Sequence, residues 1–175
     1  MISVLKKEDC KQSQTFQFSP NNIKKAYQYI RQYPLNKKRS AVMPLLYLAQ
    51  SQNNNWLSIA VINYIAELLQ IPSIQVYEIA HFYTLFNTKP VGKYLIQVCR
   101  TLPCMLQGAK HITEICKKKL QIDLGESTAD KEFTLVEVEC LGACINAPLV
   151  QINNDYYENV TPISIGMILN HLSRK

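Results

Sequence analysis

The chain has 175 residues, 47% hydrophobic and 18% charged, which suits one large or two small globular domains and excludes a disordered chain. No run approaches the ~18–20 apolar residues that a membrane-spanning helix needs, so direct membrane insertion is not expected. The net charge of +6 sits entirely in residues 1–90, with ten basic against four acidic residues, while residues 91–175 hold nine of each.

The opening residues MISVLKKEDC contain Glu8 and Asp9 and no long apolar core, unlike a secretory signal or an Arg-rich transit peptide. An intracellular, reducing setting is therefore expected. The six cysteines are accordingly not read as three disulfides. Residues 1–18 read as a mobile tail that includes Cys10.

Residues 19–90 read as a helical bundle. Ser19-Pro20 is a helix start, a side-chain cap followed by proline, and Ile23, Ala26, Tyr27 and Ile30 line one face after it. Tyr33-Pro34 ends that helix. Lys37-Lys38-Arg39 is a short basic run, read as a solvated turn or a docking contact and not as a nucleic-acid site. Val42, Leu45, Leu46 and Ala49 mark a second helix, and Gln52 to Asn55 a loop. Ser58 can cap a third helix with Ile62, Ile65, Ala66 and Leu69 inward. A fourth is predicted from Ser73 to about Phe86. His81 is expected to be packed or hydrogen-bonded, and Phe82, Tyr83 and Phe86 to serve core or interface.

After Asn87-Thr88-Lys89-Pro90 the period changes. Val91 to Val98 alternates as a strand. Leu106, Ala109, Ile112, Cys116 and Leu120 fall on one helical stripe. Phe133 to Glu139 is extended. A hairpin is predicted around Asn153-Asn154-Asp155, and a last helix begins at Thr161-Pro162 with Ile165, Ile168, Leu169 and Leu172 inward. Strand, helix, three strands and helix suit a thioredoxin-like α/β layer over 91–175. With the bundle, the fold class is α+β.

Four cysteines form two close pairs. Cys99 and Cys104 have four residues between them after the first strand, and Cys140 and Cys144 have three after the second. Two strand ends of one sheet can bring the loops together, and soft thiolates at that density attract a metal. Cys116 lies on an apolar stripe and reads as a core thiol. Neither pair has the C-x-x-C spacing of a thioredoxin redox centre. A structural zinc site and an iron–sulfur cluster both remain open on spacing alone. The stretch from Leu141 to Leu149 holds no charged side chain, and Gly108, Gly142 and Ala143 leave amides free to approach sulfur. Those features favour the cluster.

Cys99-Arg100-Thr101-Leu102-Pro103-Cys104, followed by Gly108-Ala109, resembles one binding loop of a known family. Glu139-Cys140-Leu141-Gly142-Ala143-Cys144-Ile145-Asn146-Ala147-Pro148 resembles the other. The family is that of the thioredoxin-like [2Fe-2S] ferredoxin subunit of bacterial and mitochondrial NADH:quinone oxidoreductase, respiratory complex I. The segments from Lys38 to Leu46 and from Val76 to Phe86 match it in place and order, so the likeness runs from about Phe16 to Leu172.

The resemblance implies one [2Fe-2S] cluster, with Cys99 and Cys104 on one iron and Cys140 and Cys144 on the other. It implies docking beside the flavoprotein subunit that binds NADH and FMN, among other peripheral-arm subunits. That places the chain on the cytoplasmic side of the bacterial inner membrane, or on the mitochondrial matrix side. The role implied is single-electron exchange near the flavin, with no catalytic residue on this chain. Diaphorase subunits of NAD-linked hydrogenases and formate dehydrogenases share the motif. A zinc-held interaction module is the alternative from another class. Arg100 stands where the family commonly has a small residue; as a cation beside a ligand it is expected to raise the reduction potential.

Overall fold

A computed structural model of the chain describes residues 15–174. It divides between Pro90 and Val91 into two compact units, and each unit has its own apolar core.

Among the described residues the first unit holds four helices: α1 (Pro20–Arg31), α2 (Val42–Gln52), α3 (Ile59–Leu69) and α4 (Ser73–Phe82). A 3-10 segment, Leu35–Ala41, leads into α2. The start signals act as their chemistry dictates. Ser19 Oγ accepts from the Asn22 amide at 3.3 Å, and Ser58 Oγ accepts from the Val61 amide at 3.3 Å. Each satisfies one donor that a helix N-terminus leaves free. The predicted stripes of α2 and α3 are buried, with Leu45, Leu46, Ile65 and Leu69 fully enclosed. Tyr27 is a correction: Ala26 is buried and Ile23 and Ile30 pack on the core, but Tyr27 lies half exposed at the edge of the stripe.

Helix α4 also ends a turn earlier than the sequence predicts. Tyr83 becomes extended, with φ −91° and ψ 115°, and the chain folds back so that Phe86 buries edge-on against Tyr47, ring centroids 5.4 Å apart. Gln50 fastens that turn from both sides. Its Nε2 donates to the Leu85 carbonyl at 3.1 Å, and its Oε1 accepts from the Asn87 amide at 2.8 Å. Burial of an aromatic ring outweighs one further turn of helix here. The expected tail over 1–18 is corrected in part. Residues 1–14, with Cys10, lie outside the described residues, but Phe16 and Phe18 pack edge-on against Tyr64 at 5.5 and 5.4 Å.

The second unit runs β1 (Tyr94–Cys99), α5 (Leu102–Leu106), α6 (Ala109–Leu120), β2 (Phe133–Val138), a 3-10 turn (Cys144–Asn146), β3 (Val150–Ile152), β4 (Asp155–Tyr157) and α7 (Pro162–Leu172). The sheet order is β2-β1-β3-β4. Strands β1 and β2 are parallel, and β3 and β4 follow antiparallel. A parallel strand-helix-strand crossover followed by a hairpin and a closing helix is the thioredoxin-like arrangement. Its core joins Ile96, Val98, Leu135, Val150 and Ile152 of the sheet to Ile112, Cys116, Ile165 and Leu169 of the helices. Helix α7 begins in a capping box: the Thr161 hydroxyl accepts from the Ser164 amide at 3.1 Å, and Ser164 Oγ accepts from the Thr161 amide at 2.8 Å.

The single predicted stripe from Leu106 to Leu120 is two helices. Gly108 takes φ +92° between them, a left-handed conformation that glycine enters without steric cost. The break turns Leu106 outward, where it is 77% exposed, while Ala109, Ile112 and Cys116 stay buried.

Candidate metal centre

Sheet topology assembles this site. Parallel β1 and β2 pair in register, Cys99 opposite Val138. The pairing continues one step further, where the Arg100 amide donates to the Val138 carbonyl at 3.0 Å. Both strands therefore release their chains at the same edge. The loop after β1 becomes α5 and carries Cys104; the loop after β2 carries Cys140 and reaches the 3-10 turn at Cys144.

The five described cysteines are free thiols. Cys99 and Cys104 are fully buried, whereas Cys140 and Cys144 are exposed. Cys140 Sγ lies 3.5 Å from Cys144 Sγ. Cys99 and Cys104 interact side chain to side chain. The loops also sense each other: the charge of Cys144 acts on Cys104, and that of Cys99 acts on both Cys140 and Cys144. Among the described residues, no three Cys, His, Asp or Glu side chains converge on one metal-ion position. The thiols stand as two pairs, not as one tetrahedron.

Within each pair one thiol ionises more readily than its partner. Burial works to raise Cys99. Hydrogen bonds from the Thr101 hydroxyl, the Thr101 and Leu141 amides and the Cys104 thiol outweigh it and hold Cys99 below the usual thiol value. Cys104 is pushed up to about 11, by burial first and then by Cys99. Cys140 is lowered, chiefly by the Gly142 amide and then by the Cys144 thiol. Cys144 is raised by hydrogen bonding with Cys140 and by burial. In each pair, hydrogen bonding favours the thiolate of one member at the expense of the other, and any remaining thiol protons must leave when a metal takes both sulfurs.

The surroundings suit soft, desolvated ligands. Gly142 at φ +89° lets the loop curl so that its amide meets the Cys140 sulfur. Leu141, Ala143 and Ala147 pack on the core of the unit. Paired thiols, amides directed at sulfur and an uncharged loop fit a two-iron cluster.

Other residues singled out from sequence fall elsewhere. Cys116 is buried in α6, its thiol pushed up to about 12 by burial. His81 lies in the first unit, exposed and stacked on Tyr77 with ring centroids 3.8 Å apart. Its Nδ1 is 3.1 Å from the Tyr77 carbonyl. Phe86 joins the core, but Phe82 is 77% exposed. Arg100 pairs with the carboxylate beside the other loop: its Nη2 and Nε donate to Glu139 Oε1 at 2.6 and 3.0 Å.

Thr101 is a site residue that spacing did not reveal. Its Oγ1 lies 3.3 Å from Cys99 Sγ, and the same hydroxyl reaches Cys140 on the opposite loop. Its place as N-cap of α5, just before Leu102-Pro103, was the available signal. A hydroxyl donated to a ligand sulfur stabilises added negative charge. Thr101→Val is therefore expected to lower the reduction potential by about 20–60 mV, one hydrogen bond's worth. Thr101→Ser, which keeps the hydroxyl, is expected to stay close to the original value. Protein-film voltammetry checks both, and equal potentials in the valine and serine variants would remove Thr101 from the site.

Two thiol pairs at the shared edge of β1 and β2 in a thioredoxin-like unit are the donor set that one-electron carriers of the iron–sulfur class use. Residues 26–173 match the thioredoxin-like [2Fe-2S] ferredoxin family, and the chain belongs to that family. Its cofactor is one [2Fe-2S] cluster. The chain is 54% identical over 157 residues to the E subunit of NADH-quinone oxidoreductase from Rickettsia conorii, covering 90% of this chain and 94% of that protein. It is 44% identical over 165 residues to the mitochondrial NADH dehydrogenase [ubiquinone] flavoprotein 2 of Dictyostelium discoideum, covering 94% of this chain and 67% of that one. Among solved structures it resembles an NAD+-reducing [NiFe]-hydrogenase in its H2-reduced state. The TM-score is 0.66 at 20% identity, over 75% of this chain and 22% of the hydrogenase chain. That likeness is one of fold alone.

Proposed function

We propose that the chain is the [2Fe-2S] electron-carrier subunit of an NADH:quinone oxidoreductase, with Cys99 and Cys104 on one iron and Cys140 and Cys144 on the other. The observation that carries this reading is that two thiol pairs leave the shared edge of β1 and β2, near enough for the charge of each to act on the other. The cluster supplies reversible one-electron chemistry. The chain's residues supply four sulfurs, amides from Thr101, Leu141, Gly142 and Leu149 that favour the thiolate forms, and apolar cover that keeps water from the buried pair.

The isolated chain carries electrons and makes or breaks no bonds; the assembled complex is the enzyme. NADH and FMN belong to a flavoprotein partner, and the basic bundle over 19–90 holds neighbouring subunits while 91–175 holds the cluster. No described helix is long and apolar enough to cross a membrane, which suits a peripheral subunit. It would sit on the cytoplasmic side of a bacterial inner membrane or at the equivalent matrix face. Identity of 54% to a quinone-linked relative favours this assembly over a hydrogenase, where the likeness is of fold at 20% identity.

Affinity isolation of the tagged chain from gently solubilised native membranes tests the assignment. The expected companion is an FMN-containing subunit, with NADH:quinone reductase activity in the same fraction. Recovery with hydrogenase or formate dehydrogenase subunits instead would reject it.

A further inference from the structure

Arg100 directly follows one ligand cysteine, and Glu139 directly precedes another. The parallel register that sets Cys99 opposite Val138 sets Arg100 opposite Glu139, one step beyond the last paired residues. Their side chains meet there through two hydrogen bonds from the guanidinium to one carboxylate oxygen, at 2.6 and 3.0 Å. The ion pair thus closes the gap at the point where the two strands separate into the two cysteine loops. It is the only salt bridge among the described residues that ties one of these loops to the other.

We propose that Arg100 and Glu139 form a cross-strand clip that holds the two cysteine loops together and cancels each partner's charge at the cluster. The clip has two separable consequences. As a tie, it depends on opposite charges at the two positions and not on which position carries which. As a charge pair, it leaves the cluster nearly unperturbed by either member, so removing one exposes the field of the other. Both side chains are more than half exposed, at 57% and 70%, so the tie is modest and sensitive to salt. Its value lies in its placement at the mouth of the site. Neither residue touches iron; both act as positioning residues through the cysteines beside them.

The inference rests on the four-cysteine reading, and the test separates the two. The full-length chain bearing its cluster is compared as wild type, Arg100→Thr, Glu139→Gln, and the reversed pair Arg100→Glu with Glu139→Arg. Cluster loss to a chelator is followed by visible absorbance, and the midpoint potential by protein-film voltammetry. Each single variant is expected to lose its cluster about two- to fivefold faster than wild type, and the reversed pair at the wild-type rate. The potential falls in Arg100→Thr, rises in Glu139→Gln and stays near wild type in the reversed pair. A reversed pair that bleaches as fast as the single variants, single variants that bleach at the wild-type rate, or equal potentials in the two single variants would each overturn the clip. A wild-type chain that binds no cluster overturns the ligand reading beneath it.

Discussion

Serine in place of Cys99, Cys104, Cys140 or Cys144 is expected to cut cluster retention by more than about tenfold, whereas Cys116→Ser keeps the wild-type visible spectrum. Serine preserves the size and position of the side chain but exchanges a soft thiolate for a hydroxyl that barely ionises at neutral pH. Iron–sulfur clusters select the soft donor, and loss of even an outer hydrogen-bond partner typically costs 10–100-fold in metal affinity. Cys99 and Cys104 are enclosed in the core, so their variants also place a hydroxyl in an apolar pocket. Cys140 and Cys144 are exposed, and their variants isolate the loss of the ligand. Cys116 packs in the core with its thiol pushed up to about 12, and the thiolate form a metal needs is suppressed there. Iron content and visible absorbance of purified variants decide the matter. Bleaching by Cys116→Ser would put a fifth cysteine into the ligand set.

The second large effect separates the two cores. Ile96 sits fully buried on β1, between β2 and β3, and Leu45 sits fully buried in the helical core. Truncation of either to alanine is expected to cost about 2–5 kcal/mol, from lost burial plus the cavity left behind. The consequences for the cluster differ. Ile96→Ala loosens the strand whose end carries Cys99, so the visible spectrum should disappear along with secondary structure at a lower temperature than in wild type. Leu45→Ala should lower the first helical transition and leave the bleaching temperature unchanged. Melting followed in parallel by far-ultraviolet circular dichroism and visible absorbance reads both. Bleaching that shifts equally in the two variants would mean that residues 19–90 and 91–175 do not act as separate domains.

Much of this architecture is legible in the residues because the strongest local signals agree with the tertiary fold. Ser19-Pro20, Ser58 and Thr161-Pro162 all start helices where they stand, since capping is decided within a single turn of chain. The cysteine pairs are legible because each follows a strand, and a parallel crossover necessarily sets the two strand ends on one edge. What escapes the sequence depends on partners distant along it. The end of α4 is decided by Phe86 seeking Tyr47, thirty-nine residues away. The split between α5 and α6 turns on whether Gly108 takes a left-handed conformation, which periodicity alone does not register. The sequence does not say that the Arg100 and Glu139 side chains meet, which the strand register decides, and only the folded loop brings the Thr101 hydroxyl to sulfur.

Metal and acid-labile sulfide analysis of the full-length chain purified without oxygen, with electron paramagnetic resonance after dithionite reduction, bears on all of this at once. The expected result is about two irons and two sulfides per chain, with a paramagnetic signal that appears only on reduction. One zinc per chain, no sulfide and no signal would contradict it.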